Sequence, residues 1–262
     1  MTLIDTHCHL DDPAFDEDRE EALARAREAG VEVLVIPSVT LERIPAALQL
    51  AERYPGIYVA VGIHPHAALT FSPAALTQLQ EWARHPRVVA IGEIGLDFYR
   101  DLSPREAQRE AFRAQLELAG ELGLPVIIHQ REARDAVMEE LERWVAARPG
   151  AWGILHAFSG DAAMARAAAA WGFALGIGGP ITYPRAEALR EAVQAVGASA
   201  LVLETDAPYL PPQPYRGRRN EPAYLRLIAE ALARVLNLPL EHIAEQTHRN
   251  ARRIFRFGEG EG

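Results

Sequence analysis

Residues 2–10 of the chain read Thr2-Leu3-Ile4-Asp5-Thr6-His7-Cys8-His9-Leu10, a short apolar run that ends in two histidines one residue apart. In an extended strand, residues two apart point to the same face, so His7 and His9 are expected to lie side by side while Cys8 points away. Imidazole is the commonest metal ligand among protein side chains. The stretch therefore predicts half of a transition-metal site at the end of the first strand.

Apolar runs of strand length alternate with helical patterns along almost the whole chain. The runs that predict strands cover residues 3–6, 31–36, 57–61, 88–91, 126–128, 152–155, 173–177 and 201–203. The patterns that predict helices cover residues 17–29, 41–53, 73–84, 104–122, 133–147, 161–171, 185–196, 222–236 and 240–255. Two of these helices follow a serine and a proline, at Ser72-Pro73 and Ser103-Pro104, which is typical of a capped first turn.

The predicted strands show almost no polar alternation, which is typical of strands that a parallel sheet buries on both faces. Eight such units without a linker predict an α/β fold of the TIM (β/α)8 barrel type. We expect residues 1–262 to form a single domain, with residues 258–262 as a flexible tail. A doubly wound open sheet is the alternative, but no glycine-rich phosphate loop follows the first strand.

Composition excludes several classes of protein. The 262 residues match the length of a single α/β barrel, and 49% are apolar, which supplies a sizeable core. A net charge of −9 disfavours a protein that coats nucleic acid, although an enzyme that grips a few phosphates in one cleft is compatible with it. No apolar stretch is long enough to span a bilayer, and no secretory signal is evident. Together with the lone cysteine, Cys8, this predicts a cytoplasmic location without membrane association.

Most of the remaining histidines and several acids follow directly after predicted strands. These positions are His64 and His66, Glu93 and Asp97, His129, His156, and Glu204 and Asp206. In a barrel, the carboxyl ends of all strands open at one mouth, where active sites lie. The sequence therefore predicts that residues spread from position 7 to position 206 meet in one cavity.

The candidate ligands also predict how many metal ions bind. Four imidazoles and two carboxylates exceed the roughly three protein ligands of a single catalytic ion, and they suit two ions about 3.5–4 Å apart. We expect His7, His9 and Asp206 to hold one ion, and His129 and His156 to hold the other. Nitrogen and oxygen ligands together are typical of zinc, manganese or iron, and less so of magnesium.

Glu93 follows a strand that lies between these ligand positions, which makes it the candidate bridging ligand. Each position also has a structural interpretation. His129 and His156 are compatible with ordinary buried or surface histidines, Glu93 with an arginine ion pair, and Asp206 with a turn before Pro208. The number of such residues at strand ends favours the metal site.

Seven stretches, in their order and spacing, resemble the TatD family of metal-dependent deoxyribonucleases. They are DTHCHLD (residues 5–11), GIHPH (62–66), GEIGLDFY (92–99), PVIIH (125–129), HAFSG (156–160), LETDAPYL (203–210) and RRNEP (218–222). The resemblance implies a (β/α)8 barrel whose metal ligands are His7, His9, Glu93, His129, His156 and Asp206. Ala157 and Ala207 stand where Cys and Ser are frequent in the family, and neither position is a ligand.

The resemblance implies hydrolysis of a phosphodiester by a water that divalent ions activate. Asp206, beside that water, is placed to take its proton. Glu204 lies two residues earlier and is expected to orient a ligand imidazole, although a structural acid paired to an arginine is the alternative. His64 is expected to contact the scissile phosphate or the leaving oxygen.

The remaining expected contacts bind the substrate. Arg131 and Arg219, the latter in a cluster with Arg216 and Arg218, are candidates for phosphate binding, and His66 is a further candidate. Tyr183, like Phe98, Tyr99 and Tyr209, lies in a loop where a base can stack, although packing beneath the loops is the alternative. A deep mouth favours a single-stranded or frayed DNA end and an exonuclease, with no obligate protein partner.

Two other functions remain open from the sequence. The same bimetallic barrel can hydrolyse amides or other esters, including aminoacyl esters of tRNA, because the fold does not determine the reaction. A binding protein without catalysis is the second, although an intact set of buried acids and imidazoles is costly to keep without a function.

Overall fold

The computed structural model describes residues 1–257 and contains eight strands that form one sheet in the order of the chain. The strands are β1 (Leu3–Asp5), β2 (Val31–Pro37), β3 (Ile57–Val61), β4 (Val88–Asp97), β5 (Val126–Arg131), β6 (Gly153–Leu155), β7 (Ala174–Ile177) and β8 (Leu201–Leu203). Every strand pair with a defined register is parallel.

An α-helix follows each strand. The helices are α1 (Arg19–Glu28), α2 (Ile44–Arg53), α3 (Pro73–Trp82), α4 (Arg105–Leu122), α5 (Arg134–Ala147), α6 (Ala162–Ala170), α7 (Glu187–Val196) and α8 (Leu225–Leu236), and α9 (Leu240–Phe255) comes last. Parallel strands joined by helical crossovers, in the order of the chain, define the TIM-barrel fold, so the predicted fold class is confirmed.

Backbone contacts divide the chain into two compact units. Unit 1 comprises Met1–Ile36, Ala157–Ala170 and Ala174–Arg253, and unit 2 comprises Pro37–His156, Trp171–Phe173 and the residues from Ile254 onward. The strands of both units are almost entirely buried and apolar, as predicted from their lack of polar alternation. The single domain over residues 1–262 stays a prediction, and the predicted tail at 258–262 lies outside the described residues.

Strands β4 and β5 are longer than the apolar runs that predict them. Beyond Ile91, β4 continues beside β5, with Gly95 opposite His129 and Asp97 opposite Arg131. A Cβ atom on Gly95 would lie 2.0 Å from the His129 carbonyl oxygen, and its φ is +141°, so only glycine permits this pairing. Glu93, Asp97 and His129 therefore lie within β4 and β5 rather than after them.

Most of the helices begin later than predicted, and α2 shows a physical reason for the difference. Residues 41–43 form a 3₁₀ turn, and α2 begins at Ile44 because Pro45 suits a first helical turn, where its missing N–H costs nothing. The Ser72 side chain caps α3 as predicted, at 3.1 Å from the Ala75 nitrogen. Ser103 does not cap α4; its hydroxyl instead donates to the His66 carbonyl oxygen at 2.9 Å.

Among residues 1–257, no helix has the length and apolar character that a membrane crossing needs.

Candidate active site

In unit 1, three candidate ligands converge, and we call His7, His9 and Asp206 the first cluster. The Nε2 atoms of the two histidines lie 3.3 Å apart. Asp206 Oδ1 lies 3.7 Å from His7 Nε2 and 3.4 Å from His9 Nε2. All three residues are buried. Two imidazole nitrogens and a carboxylate oxygen that face one another in a buried site form a donor set for a divalent transition metal.

The backbone around the first cluster explains its geometry. β1 ends at Asp5, so the two histidines lie just beyond the strand, where we predicted its carboxyl end. The Asp206 amide donates to the His7 carbonyl at 2.8 Å, and the His9 amide donates to the Ala207 carbonyl at 2.8 Å. These bonds hold the segment against the residues that follow β8, and the rings of His7 and His9 lie edge to face with their centroids 5.0 Å apart.

Asp5 joins β1 to the end of β8. Its carboxylate accepts the Thr205 amide at 2.9 Å, the Thr205 hydroxyl at 2.6 Å and the His7 amide at 3.3 Å. Burial raises the pKa of Asp5 to about 7, although these hydrogen bonds oppose the shift. The sequence assigned no role to Asp5; the structure shows that it positions the backbone of His7.

Glu204 is fully buried, and its Oε1 accepts the Ala157 amide at 2.6 Å. A Cβ atom on Gly176 would lie 2.1 Å from Glu204 Oε2, so the side chain needs a glycine beside it. The carboxylate thus fixes the backbone of the residue that follows His156. Its predicted catalytic role stays a prediction.

In unit 2, one carboxylate oxygen faces three imidazoles, and we call His64, Glu93, His129 and His156 the second cluster. Glu93 Oε1 lies 2.9 Å from His129 Nδ1, 3.5 Å from His64 Nε2 and 3.7 Å from His156 Nε2. His129 is half-buried and the other three residues are buried. Within this cluster, His64, Glu93 and His129 offer ligand atoms close enough together to hold a divalent cation.

Asp97 connects this cluster to the loop that follows β4. Its Oδ2 lies 3.1 Å from His129 Nε2 and 2.9 Å from His66 Nε2. Its Oδ1 accepts the Tyr99 amide at 3.0 Å and the Arg100 amide at 2.7 Å. Burial opposes ionisation of Asp97, but these hydrogen bonds outweigh it and hold the pKa of Asp97 below its usual range. Sequence reasoning gave Asp97 no role, although its position at the end of a strand was a signal.

His129 lies between two carboxylates, with Glu93 at Nδ1 and Asp97 at Nε2. Burial disfavours its protonation, yet hydrogen bonds to Asp97 and Glu93 outweigh burial and raise its pKa. The negative charge that favours a proton here favours a metal cation as well. With Asp97 accepting an Nε2 hydrogen, His129 would bind a cation through Nδ1, on the side of Glu93.

His64 is a neutral imidazole at physiological pH, because burial lowers its pKa to about 4. Its Nδ1 accepts the His66 amide at 3.1 Å. In a neutral ring the other nitrogen then carries the hydrogen, so Nε2 of His64 is a donor.

The residues predicted to bind substrate have different surroundings. The Arg131 guanidinium lies 3.9 Å above the ring of Tyr99, and His66 binds Asp97. The Tyr183 hydroxyl donates to the Pro211 carbonyl at 2.9 Å. Arg219 forms a bidentate ion pair with Asp18, at 2.6 and 2.7 Å. A contact between Arg219 and substrate stays a prediction, and it would require this ion pair to open.

Replacing Asp18 by Asn is expected to lower the free energy of unfolding by about 1 kcal/mol near neutral pH, a modest value because solvent screens the pair. Hydrogen bonds from Arg219, and to a lesser extent from Arg25, lower the pKa of Asp18 from 3.8 to about 2. Since the folded state keeps the carboxylate ionised, the pair stabilises the protein above pH 3.8, and this contribution is lost as the pH falls toward 2. Urea unfolding of both proteins at about pH 6 and about pH 3 measures the difference, which should shrink at the lower pH.

Asp16→Asn is the matched control, since Asp16 is an exposed acid paired with Arg19 at 2.5 Å. Asp16→Asn should lower the free energy of unfolding by less than about 0.5 kcal/mol. A loss of stability in Asp18→Asn that is equal at both pH values would contradict an ionic contribution from this pair.

A TIM barrel with clusters of imidazole and carboxylate groups that can bind metal, at or just beyond the carboxyl ends of its strands, defines a metal-dependent hydrolase. The family model described as TatD related DNase matches residues 4–256, and the chain belongs to this family. The resemblance found in the sequence is confirmed.

Several relatives match almost the whole chain. It is 41% identical to an uncharacterized metal-dependent hydrolase, YabD, of Bacillus subtilis, over 97% of this chain and 99% of the relative. It is 38% identical to the 3′-5′ ssDNA/RNA exonuclease TatD of Klebsiella pneumoniae, over 97% of each chain. The crystal structure of YJJV, a TatD homolog from Escherichia coli, has 37% identity and a TM-score of 0.91, covering 97% of this chain and 98% of that one.

Proposed function

We propose that this hydrolase removes nucleotides from the 3′ end of single-stranded DNA and RNA. The single observation that carries the proposal is the Glu93 carboxylate oxygen that faces three imidazoles in unit 2, in a chain of the TatD family. The 3′-5′ ssDNA/RNA exonuclease activity for which the Klebsiella relative is named supports the substrate class and the direction.

We assign one divalent ion to His7, His9 and Asp206 of unit 1, and a second to Glu93, His129 and His156 of unit 2. The donor sets fit zinc or manganese, and magnesium less well because four imidazoles are present. When bound, such ions would acidify a water and neutralise charge on the phosphate. The orientation of the His129 ring by Asp97 supports this assignment.

Three residues are proposed to act on the reacting atoms or on the groups around them. Asp206 would take the proton of the attacking water at a carboxylate oxygen, since its backbone is fixed beside His7. His64 would donate its Nε2 hydrogen to a phosphoryl or leaving oxygen, because the ring is neutral and its Nδ1 already accepts a hydrogen bond. Glu204 would act indirectly, by holding the backbone next to His156.

Arg131, Arg219, His66 and Tyr183 are proposed to contact the nucleic acid. Arg131 has the strongest support, since it lies against an exposed aromatic ring and forms no ion pair among residues 1–257. Arg219 and Tyr183 first have to exchange their present partners, Asp18 and the Pro211 carbonyl. A cytoplasmic location is proposed from the single buried cysteine.

Removal of metal is expected to abolish the activity. Purified protein treated with EDTA should release nucleotides from a 5′-labelled single-stranded oligonucleotide about 1,000-fold more slowly, because divalent ions supply several kcal/mol of charge stabilisation. Adding back Mn²⁺ or Zn²⁺ should restore the rate, and products should shorten from the 3′ end.

The same preparation is tested on a blunt duplex, on aminoacyl-tRNA and on simple amides. The proposal expects slower cleavage of the duplex and no comparable turnover of amides or aminoacyl esters. Metal-dependent cleavage of the amide or aminoacyl ester without nucleotide release would overturn the nuclease proposal and favour the alternative hydrolase.

A further inference from the structure

An exposed tyrosine and an arginine stack beside the second cluster. Tyr99 follows β4 and is 56% exposed, which is unusual for a large aromatic residue. The Arg131 guanidinium, at the end of β5, lies 3.9 Å from the centre of the Tyr99 ring. Within the described residues Arg131 forms no ion pair.

The strand register places this stack near the candidate metal ligands. Arg131 comes two residues after His129 on β5, and Asp97 lies directly opposite Arg131 on β4. A step of two residues along a strand covers about 6–7 Å and keeps the side chain on the same face. The stack therefore continues the face that carries the His129 imidazole, one step farther along the strand.

Asp97 fixes the position of the tyrosine relative to His129. One oxygen of Asp97 accepts the Tyr99 amide, and the other lies 3.1 Å from His129 Nε2. The carboxylate is fully buried. A tyrosine whose backbone is held by a buried carboxylate, and whose ring lies against an arginine yet largely in solvent, is preorganised for an external partner.

We propose that Tyr99 and Arg131 form a stacking subsite for a nucleobase near the 3′ end of a single-stranded nucleic acid, a role that rests on the proposed nuclease function. Aromatic faces stack on bases regardless of sequence, and arginine adds charge for the neighbouring phosphate. The subsite makes the enzyme recognise bases near the scissile bond without reading their identity.

Two other arginine–tyrosine stacks differ from this one in their surroundings. Arg87 lies 5.5 Å from the Tyr58 ring, but Tyr58 lies at the start of β3 and also packs against Phe257 at 4.6 Å. Arg216 lies 4.5 Å from the Tyr183 ring, whose hydroxyl is already bonded to Pro211. Tyr99 is more exposed than either ring and lies beside the candidate ligands.

The test combines Tyr99→Ala with removal of single bases from the substrate. Four oligonucleotides are compared: one complete, and three with an abasic site at the last, second or third position from the 3′ end. For the complete strand, Tyr99→Ala should raise KM roughly tenfold with little change in kcat, because one stacked base is lost. For the strand that lacks the base at one of these three positions, the KM values of Tyr99→Ala and the wild type should differ by less than about twofold.

Tyr99→Phe should behave like the wild type, because it keeps the ring. Arg131→Lys should weaken binding, because a lysine keeps the charge but not the planar group. Arg87→Ala is the matched control: it removes an arginine from a tyrosine at the amino ends of the strands, and it should leave KM unchanged.

A binding measurement without turnover separates this proposal from the nuclease proposal. An oligonucleotide with 2-aminopurine at the responding position is titrated in EDTA, and its fluorescence should be quenched by the wild type but not by Tyr99→Ala. An equal effect of Tyr99→Ala on the complete strand and on all three abasic strands, or equal quenching by both proteins, would overturn the stacking subsite. If the wild type shows no metal-dependent turnover of nucleic acid, the proposed function is overturned instead.

Discussion

Replacing Asp206 by Asn is expected to lower the metal-dependent rate of nucleotide release by about 1,000- to 10,000-fold. The amide cannot take a proton from water, and it is a weaker ligand beside His7 and His9, which lie 3.7 and 3.4 Å from the present carboxylate oxygen. The backbone should tolerate the change, since Asp206 has a φ of +57° and asparagine adopts this conformation readily. Single-turnover kinetics and metal content measure the two losses separately.

Asp161→Asn is the matched control for this variant. Asp161 accepts the amides of Ala163 and Met164 at the start of α6, a role that asparagine also fills. Its activity and metal content should match the wild type. If Asp206→Asn kept more than about a tenth of the wild-type rate with full metal content, Asp206 could not be the proton acceptor.

Replacing Asp97 by Asn is expected to reduce activity or metal affinity by about 10- to 100-fold, the usual effect of changing a group that orients a metal-binding histidine. Asparagine has one acceptor oxygen, whereas the Asp97 carboxylate serves two amides and two imidazoles. Without the charge, His129 would lose the partner that holds its Nε2 hydrogen. Metal titration followed by calorimetry measures the affinity, and the nuclease assay measures the rate.

Asp101→Asn serves as the control for Asp97, because Asp101 lies in the same loop and forms its ion pair with the exposed Arg105. The Asp101→Asn variant should change neither the metal affinity nor the rate of nucleotide release. Wild-type metal affinity and activity in Asp97→Asn would show that Glu93 alone is sufficient to orient the His129 ring.

The sequence predicted the strand order well because parallel strands buried on both faces leave a local signal, an uninterrupted apolar run. The sequence predicts strand ends less well, since β4 continues through Gly92 to Asp97 only because β5 lies beside it. Pairing with a neighbouring strand is a long-range property, and the polar residues of this stretch do not indicate a strand by themselves.

The sequence predicts candidate ligands because histidines and acids recur after its apolar runs. Their partners were not visible. Asp18 and Arg219 are 201 positions apart, so no local pattern shows that this arginine is held by an acid rather than exposed for phosphate. The contact between Asp97 and His129 likewise depends on register, which the sequence does not give.

The proposed metal site is tested most directly by locating the metal in the protein as purified, by elemental analysis together with anomalous diffraction from crystals. The proposed metal site predicts two divalent ions per chain, one bound by His7, His9 and Asp206 and the other by Glu93, His129 and His156. Crystals of metal-replete protein with no anomalous peak at either cluster, or with ions bound only elsewhere, would contradict it.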